Sequence, residues 1–121
     1  MAAGRYDFVI EQGATFSRQV TWQNEDGSAV NLTGYTLSGS VRKKTSDAKQ
    51  LIDFTITVVN AASGIFTFSL TAAQTGALPA TYGQTSEKEL LPCVYDIEAA
   101  SGSTVYRVLE GVANISPQVT R

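Results

Sequence analysis

The chain has 121 residues, a formal net charge of −2 and 43% hydrophobic residues, as expected of one soluble globular domain. The slightly acidic balance argues against nucleic acid as the main partner, because phosphate binding requires clustered Lys and Arg. Histidine is absent and cysteine occurs once, at Cys93, which excludes the commonest general base and any intrachain disulfide.

Alternation of apolar and polar residues predicts short strands along most of the chain. These segments are Tyr6–Glu11, Ala14–Gln23, Tyr35–Arg42, Leu51–Val59, Ile65–Leu70 and the hairpin Val94–Ile115. The side chains predicted to point inward are Tyr6, Phe8, Ile10, Phe16, Val20, Trp22, Leu37, Gly39, Val41, Phe54, Ile56, Val58, Phe66, Phe68, Leu70, Tyr95, Ile97 and Ala99. A strand with one apolar and one polar face covers a core, with a second sheet beneath it.

Arg18 interrupts the apolar face of the second predicted strand. One interpretation is an edge position, at which the aliphatic stem lies on the core and the guanidinium reaches water. The other is an arginine paired across an interface. The pattern favours the edge position.

The connections between strands are mostly short and polar. Asp26–Gly27 is typical of a hairpin turn, and Thr71–Gly76 of one helical turn with Thr71 as N-cap and Gly76 as terminator. Pro79–Leu91 is the least regular segment, an excursion of about a dozen residues between strands. It is either a solvent loop or the loop through which the chain meets a partner.

The C-terminal hairpin is predicted to turn at Ala100–Ser103. Apolar residues occur on both faces of its return strand: Tyr106 and Val108 on one, Val105 and Leu109 on the other. We therefore expect this strand to be covered on both sides, and Gly111 to bulge or bend it.

Roughly seven or eight strands, with at most one short helical turn, predict an all-β fold, an antiparallel two-sheet β-sandwich. Residues 1–5 are expected to form a flexible N-terminal arm, 6–115 a single sandwich domain and 116–121 a C-terminal tail. No segment has the apolar run of a signal peptide or of a membrane span, so we expect a protein made in a cytoplasm that does not enter a membrane.

No group of residues in the sequence is typical of a catalytic or binding site. Asp96 and Glu98 share one strand face and are interpreted as solvated charges. The acidic turn Asn24–Gly27 lacks the ligand spacing of a calcium loop. Cys93 is interpreted as a structural thiol, because no histidine exists to activate it. We therefore predict no catalytic, cofactor-binding or metal-binding residues and no enzyme activity.

Several short phrases of the sequence together carry a resemblance to a known family. They are Phe8–Phe16, Asp26–Gly27, Val30–Tyr35, Val41–Arg42, Gly64–Phe66, Leu70–Thr75, Tyr95–Glu98 and Val119–Arg121. With these phrases the chain resembles the immunoglobulin-like N-terminal domain of the upper-baseplate and tail-fibre adaptor proteins of tailed bacteriophages. The resemblance covers nearly the whole chain and implies an immunoglobulin-like form of the sandwich.

The resemblance implies a structural protein of the tail, baseplate or fibre adaptor, located in the virion and made in the host bacterial cytoplasm. Its partners would be other virion proteins, further copies of itself, or both. A capsid decoration protein is an alternative with the same fold. A carbohydrate-binding domain that recognises a host surface is a second alternative, which requires exposed aromatic side chains; Phe16, Trp22, Phe54, Phe66 and Phe68 are predicted to lie inside.

Overall fold

The computed structural model describes residues 4–43, 51–78, 81–82, 88–89 and 91–116, and it confirms the all-β fold. In chain order the elements are β1 (Gly4–Arg5), β2 (Phe8–Glu11), β3 (Phe16–Thr21), β4 (Thr36–Arg42), β5 (Ile52–Asp53), β6 (Thr55–Asn60), β7 (Ile65–Leu70), α1 (Ala72–Gly76), β8 (Thr81–Tyr82), β9 (Lys88–Glu89), β10 (Leu91–Ser101) and β11 (Thr104–Ser116). No helix in the described ranges is long and apolar enough to cross a membrane.

The strands form a two-sheet sandwich, as predicted. The larger sheet has the order β1-β11-β10-β4-β5, with β2 also pairing with β11, and the smaller sheet has the order β3-β7-β6. β8 and β9 form a separate two-stranded ladder. Neighbouring strands are antiparallel except β1 and β2, which run parallel to β11. These two pairings depart from the antiparallel prediction. They join strands that are far apart in the sequence, and no local turn marks such a pairing.

The sheet extends past both predicted boundaries of the domain. β1 and β2 follow β11 in one continuous register, so Gly4 and Arg5, predicted to lie in a flexible arm, belong to the sheet. Ser116, the first residue of the predicted tail, pairs with β2 and is buried. Residues 1–3 and 117–121 lie outside the described ranges.

The predicted strand Leu51–Val59 is divided between the two sheets. β5 pairs with β4 in the larger sheet and β6 pairs with β7 in the smaller one, so the chain changes sheets at the buried Phe54. Two side chains predicted to point inward are exposed, Val58 by 47% and Tyr6 by 40%. Val58 lies where the register of β6 shifts and Tyr6 lies between β1 and β2, so neither follows a regular alternation.

Most of the predicted inward side chains do form the core. The buried ones are Phe8, Ile10, Phe16, Trp22, Val41, Phe54, Phe66, Phe68, Leu70, Tyr95, Ile97 and Ala99, and Val20, Leu37 and Ile56 pack against them. The rings of Trp22, Tyr35 and Tyr106 form a second aromatic group, with centroids 5.4 to 6.2 Å apart. Burial of these large apolar surfaces is the main stabilising contribution to the fold.

The predicted helical turn is present as α1, and Thr71 is its N-cap. The Gln74 N–H donates to the Thr71 hydroxyl at 3.1 Å, and the Thr71 N–H donates to the Gln74 side chain at 2.9 Å. Gly76, the predicted terminator, is itself helical. The buried Thr75 donates its hydroxyl to the Ala14 carbonyl at 2.8 Å and so ties α1 to the turn between β2 and β3.

The C-terminal hairpin is confirmed, with a two-residue turn, Gly102–Ser103, inside the predicted Ala100–Ser103. Gly102 has a φ of 61°, which glycine adopts without steric strain. The two strands of this hairpin are the longest of the described strands and lie side by side within the larger sheet.

A β-bulge at Val108, and not at Gly111, breaks the alternation of β11. The register between β10 and β11 shifts there, and the extra residue lets both Val108 and Leu109 reach the core. Val105, before the bulge, is 55% exposed. The prediction that both faces of this strand are covered is therefore wrong. Apolar residues occur on both faces of the pattern because the bulge switches which face the alternate residues occupy.

The first strand meets the last in a close contact at Gly111. A Cβ atom added to Gly111 would lie 2.3 Å from the Tyr6 carbonyl oxygen, so any larger residue would push the strands apart. Tyr95, opposite Gly111 on β10, donates its hydroxyl to the same carbonyl. The Val112 N–H donates to the Asp7 carboxylate at 2.9 Å, which here takes the place of a main-chain acceptor.

The Tyr95 ring links this contact to the core. Its centroid lies 4.5 Å from that of Phe8, and it is stacked with Phe68 at 6.2 Å. Burial, with a smaller contribution from the Asp7 carboxylate, raises the pKa of Tyr95. Burial therefore keeps the hydroxyl protonated, and a donor, to a higher pH than that at which an exposed tyrosine ionises.

Replacement of Gly111 by alanine should destabilise the protein by about 1–3 kcal/mol, because the new methyl group overlaps the Tyr6 carbonyl. Urea unfolding followed by circular dichroism measures this change. Gly76→Ala is the matched control: its nearest neighbour would be the Gly13 Cα at 3.9 Å, and we expect stability to be unchanged or slightly higher. Equal unfolding midpoints for Gly111→Ala and the wild type would contradict the close contact.

Replacement of Tyr95 by phenylalanine should lower stability by about 1–2 kcal/mol at pH 7, because the Tyr6 carbonyl loses its donor. Since the pKa of Tyr95 is raised in the folded protein, the contribution of Tyr95 to the free energy of unfolding is fully present below pH 10. It is lost as the pH rises above that value. The difference in free energy of unfolding between the wild type and Tyr95→Phe should therefore narrow by up to about 1.4 kcal/mol per pH unit above pH 10. Parallel pH profiles of stability for the wild type and Tyr95→Phe would refute the assignment.

Candidate interaction surfaces

The residues considered for chemistry lie apart in the structure. The Cys93 side chain is buried, and this burial raises the pKa of its thiol, while Lys43 lowers it to a smaller extent. Asp96 and Glu98 lie on the outer face of the larger sheet, and Asp96 is 3.6 Å from the Arg107 guanidinium. Among the described residues, no three His, Cys, Asp or Glu side chains come together as a metal site would require.

The acidic turn Asn24–Gly27 is held by its own hydrogen bonds. The Ser28 hydroxyl and the Ser28 N–H both donate to the Asp26 carboxylate, at 2.6 and 2.9 Å. These hydrogen bonds, that of the side chain first, lower the pKa of Asp26. The carboxylate thus stabilises the turn between β3 and β4.

The outer face of the larger sheet is charged, with both signs interspersed. An open groove of about 500 Å³ runs over it, and its charged lining residues are Arg5, Arg42, Asp96, Glu98, Arg107 and Glu110. Arg107 lies 3.6 Å from Asp96 and 3.3 Å from Glu110, so opposite charges pair across the groove. The three arginines and three carboxylates of the lining balance in formal charge, so the groove as a whole favours neither an anionic nor a cationic ligand.

The outer face of the smaller sheet carries no charge. Two rows of side chains cross its three strands in register: Ser17, Ser69 and Thr55 in one, and Gln19, Thr67 and Thr57 in the other. Thr21 lies at the end of the same face. We call these seven side chains the hydroxyl face; those on β3 and β6 are exposed and those on β7 are half-buried.

Alternation along the separate strands indicated that these residues point outward, but it could not place the two rows side by side. β3 and β6 are far apart in sequence and meet only through β7. The sequence also places Asp53 on the same face as Thr55 and Thr57. Because the chain changes sheets at Phe54, Asp53 belongs to the larger sheet, and the hydroxyl face is left uncharged.

The two edges of the smaller sheet differ in charge. On β3, the Arg18 guanidinium lies 4.7 Å from the centre of the Phe16 ring and donates to the Tyr6 hydroxyl at 3.2 Å. The edge-position interpretation of Arg18 is thus confirmed. β6 has no charged residue, and Val58 and Val59 are exposed by 47% and 55%. No strand of the described ranges pairs with the outer side of either edge.

The five aromatic residues predicted to lie inside, Phe16, Trp22, Phe54, Phe66 and Phe68, are all buried. The segment Pro79–Leu91, predicted to be a solvent loop or a partner loop, falls largely outside the described residues. Within it, the backbone of Thr81–Tyr82 pairs antiparallel with that of Lys88–Glu89. The choice between a solvent loop and a partner loop stays a prediction.

No protein-family model and no curated protein matches the chain. Among solved structures, it has a weak similarity to a family 123 glycoside hydrolase from Clostridium perfringens that was studied for glycolipid glycan hydrolysis. The identity is 9% and the TM-score 0.34, over 100% of this chain and 24% of the hydrolase. The chain thus spans about a quarter of that protein's length. A similarity of this size carries no argument about activity.

The buried Cys93 thiol should react slowly with a disulfide reagent such as DTNB. Opening of a core strand requires a free energy close to that of global unfolding, about 5 kcal/mol or more, which reduces labelling at least about a thousandfold relative to the unfolded chain. The release of thionitrobenzoate in native buffer and in urea gives the two rates. Complete labelling of the native protein within minutes would show that Cys93 is accessible.

Proposed function

We propose that the chain is a non-enzymatic structural domain of a bacteriophage particle, built into its tail or baseplate. In this role it would be made in the bacterial cytoplasm and bind neighbouring virion proteins through the hydroxyl face. The resemblance to baseplate and fibre-adaptor domains suggests the particle. The observation that carries the assembly role is the uncharged outer face of the smaller sheet.

An uncharged, hydroxyl-rich surface is suited to protein contact. Charged residues are depleted in the buried centre of protein interfaces, because each charge that leaves water has to be paired again. Serine, threonine and glutamine side chains can donate and accept, so they form hydrogen bonds with many partner surfaces. On the hydroxyl face they are held in two straight rows by the backbone pairing of three strands.

The opposite face supports the same proposal. The outer face of the larger sheet carries paired charges, which favour contact with water and oppose burial in an interface. A domain with one charged and one uncharged face stays in solution before assembly and has a preferred side on which to pack. The sandwich between the faces supplies a rigid spacer.

Particles purified from a lysate of the strain that encodes the chain provide the test. Mass spectrometry of separated heads and tails should find the protein in the tail fraction, at the stoichiometry of other tail proteins. Recovery in the head fraction would instead support capsid decoration. Recovery only among the free proteins of the lysate would overturn the proposal.

Two matched variants test the surface. Ser17→Arg adds a charge to the hydroxyl face, and we expect it to reduce incorporation into particles at least about tenfold, because an unpaired charge would be buried. Ser38→Arg makes the same change at an exposed strand position on the charged face of the larger sheet. It should be incorporated like the wild type; equal incorporation of both variants would contradict the use of the hydroxyl face.

A further inference from the structure

The open edges of the two sheets are unequally protected against pairing with another chain. Natural proteins protect strand edges by making them short, by placing charges on them, or by turning a charged side chain inward. β1 and β5 have only two residues each, with Arg5 on one and Asp53 on the other. β2 has four residues and ends at Glu11. β3 has Arg18 on its inward face.

β6 has none of these protections over most of its length. Its six residues, Thr55–Asn60, are uncharged and include no proline or glycine. Val58 and Val59 are exposed by 47% and 55%, which are large fractions for β-branched apolar side chains in a strand. A β-bulge at Val59, itself a device that protects a strand edge, interrupts β6, so the unprotected part of the edge is residues 55–58. Among the described strands, β6 is the edge best suited to accept another strand.

We propose that two copies of the chain pair antiparallel along β6, which joins their three-stranded sheets into one continuous six-stranded sheet. This inference deepens the proposed assembly role, since it names a second copy of the chain as the partner on this edge. The new ladder would pair the backbone groups on the outer edge of β6, with which no described strand pairs. It would also remove part of the exposed Val58 and Val59 surface from water.

The absence of charge on β6 favours a second copy over an unrelated segment. A twofold axis places the side chain at the axis opposite its own counterpart, and like charges directly opposite each other in a sheet are destabilising. The axis of a β6 pair would pass near Thr57 and Val58, the central residues of the strand. The same operation at β3 would bring two Arg18 side chains together.

Pairing along β6 would also extend the hydroxyl face. The rows through Thr55 and Thr57 would continue into the second copy, doubling the uncharged surface. Six residues from each side form a small interface, so we expect a dissociation constant of about 10–100 µM for the free protein. In a particle, neighbouring copies are held close together, and a weak contact of this kind becomes well populated.

Sedimentation equilibrium of the intact chain from about 5 to 500 µM tests the pairing, and should show a monomer–dimer equilibrium in this range. Val58→Lys places a charge on the inward side of β6, as Arg18 does on β3. It should weaken dimerisation at least about tenfold. Ser38→Lys, at an exposed position of β4 outside the hydroxyl face, is the matched control and should leave the equilibrium unchanged. Thermal unfolding of each variant confirms that it is folded.

Two further measurements locate the contact. Val58→Glu alone should dimerise as poorly as Val58→Lys, and an equimolar mixture of the two should recover dimer at least about tenfold, because opposite charges then meet at the axis. Amide hydrogen exchange should slow with concentration in β6 and not in β3.

A wild type that stays monomeric at 500 µM would overturn the β6 pairing, as would dimerisation that Val58→Lys leaves unaffected or that Ser38→Lys weakens equally. Neither result would move the protein out of the tail fraction, so the pairing and the proposed particle role fail separately. A crosslink in particles from β6 to a different virion protein, with no β6–β6 crosslink, would likewise overturn the pairing.

Discussion

The hydrogen bond from the Tyr95 hydroxyl to the Tyr6 carbonyl, beside Gly111, holds the two ends of the described chain together. Around it, the first strand lies against the last, and the ring of Phe8 packs on that of Tyr95 in the core. No local turn guides this pairing, so its specificity depends on the missing side chain at Gly111 and on a donor of the right length opposite. The larger sheet is completed by this contact.

The smaller sheet is placed by different means. Phe54 carries the chain from the edge of one sheet to the edge of the other, and the Thr75 hydroxyl fixes the short helix against the turn that leads into β3. The smaller sheet is therefore attached at both of its edges to the larger one. Its outer face has no role in the core and is uniformly uncharged, while the outer face of the larger sheet is charged.

The sequence predicts much of this arrangement because side-chain alternation is local. The inward residues of β7, Phe66, Phe68 and Leu70, could be read from their spacing, and so could the cap at Thr71. Contacts between distant segments left no such signal. The parallel pairing of β2 with β11 has no turn to mark it, and the hydroxyl face emerges only when three strands are placed in register. The bulge at Val108 produced a misleading pattern, since one extra residue changes which face a side chain occupies.

The parallel pairing of β1 and β2 with β11 also determines how the domain responds to a pulling force. If the chain is drawn apart from its two ends, these strands slide past each other in opposite directions. The backbone hydrogen bonds between them, with those of Tyr95 and Asp7, are then loaded together in shear and cannot open one after another as in a hairpin peeled from its end. Under tension along the chain, the strands that are hardest to predict from the sequence would be the ones that bear the load first.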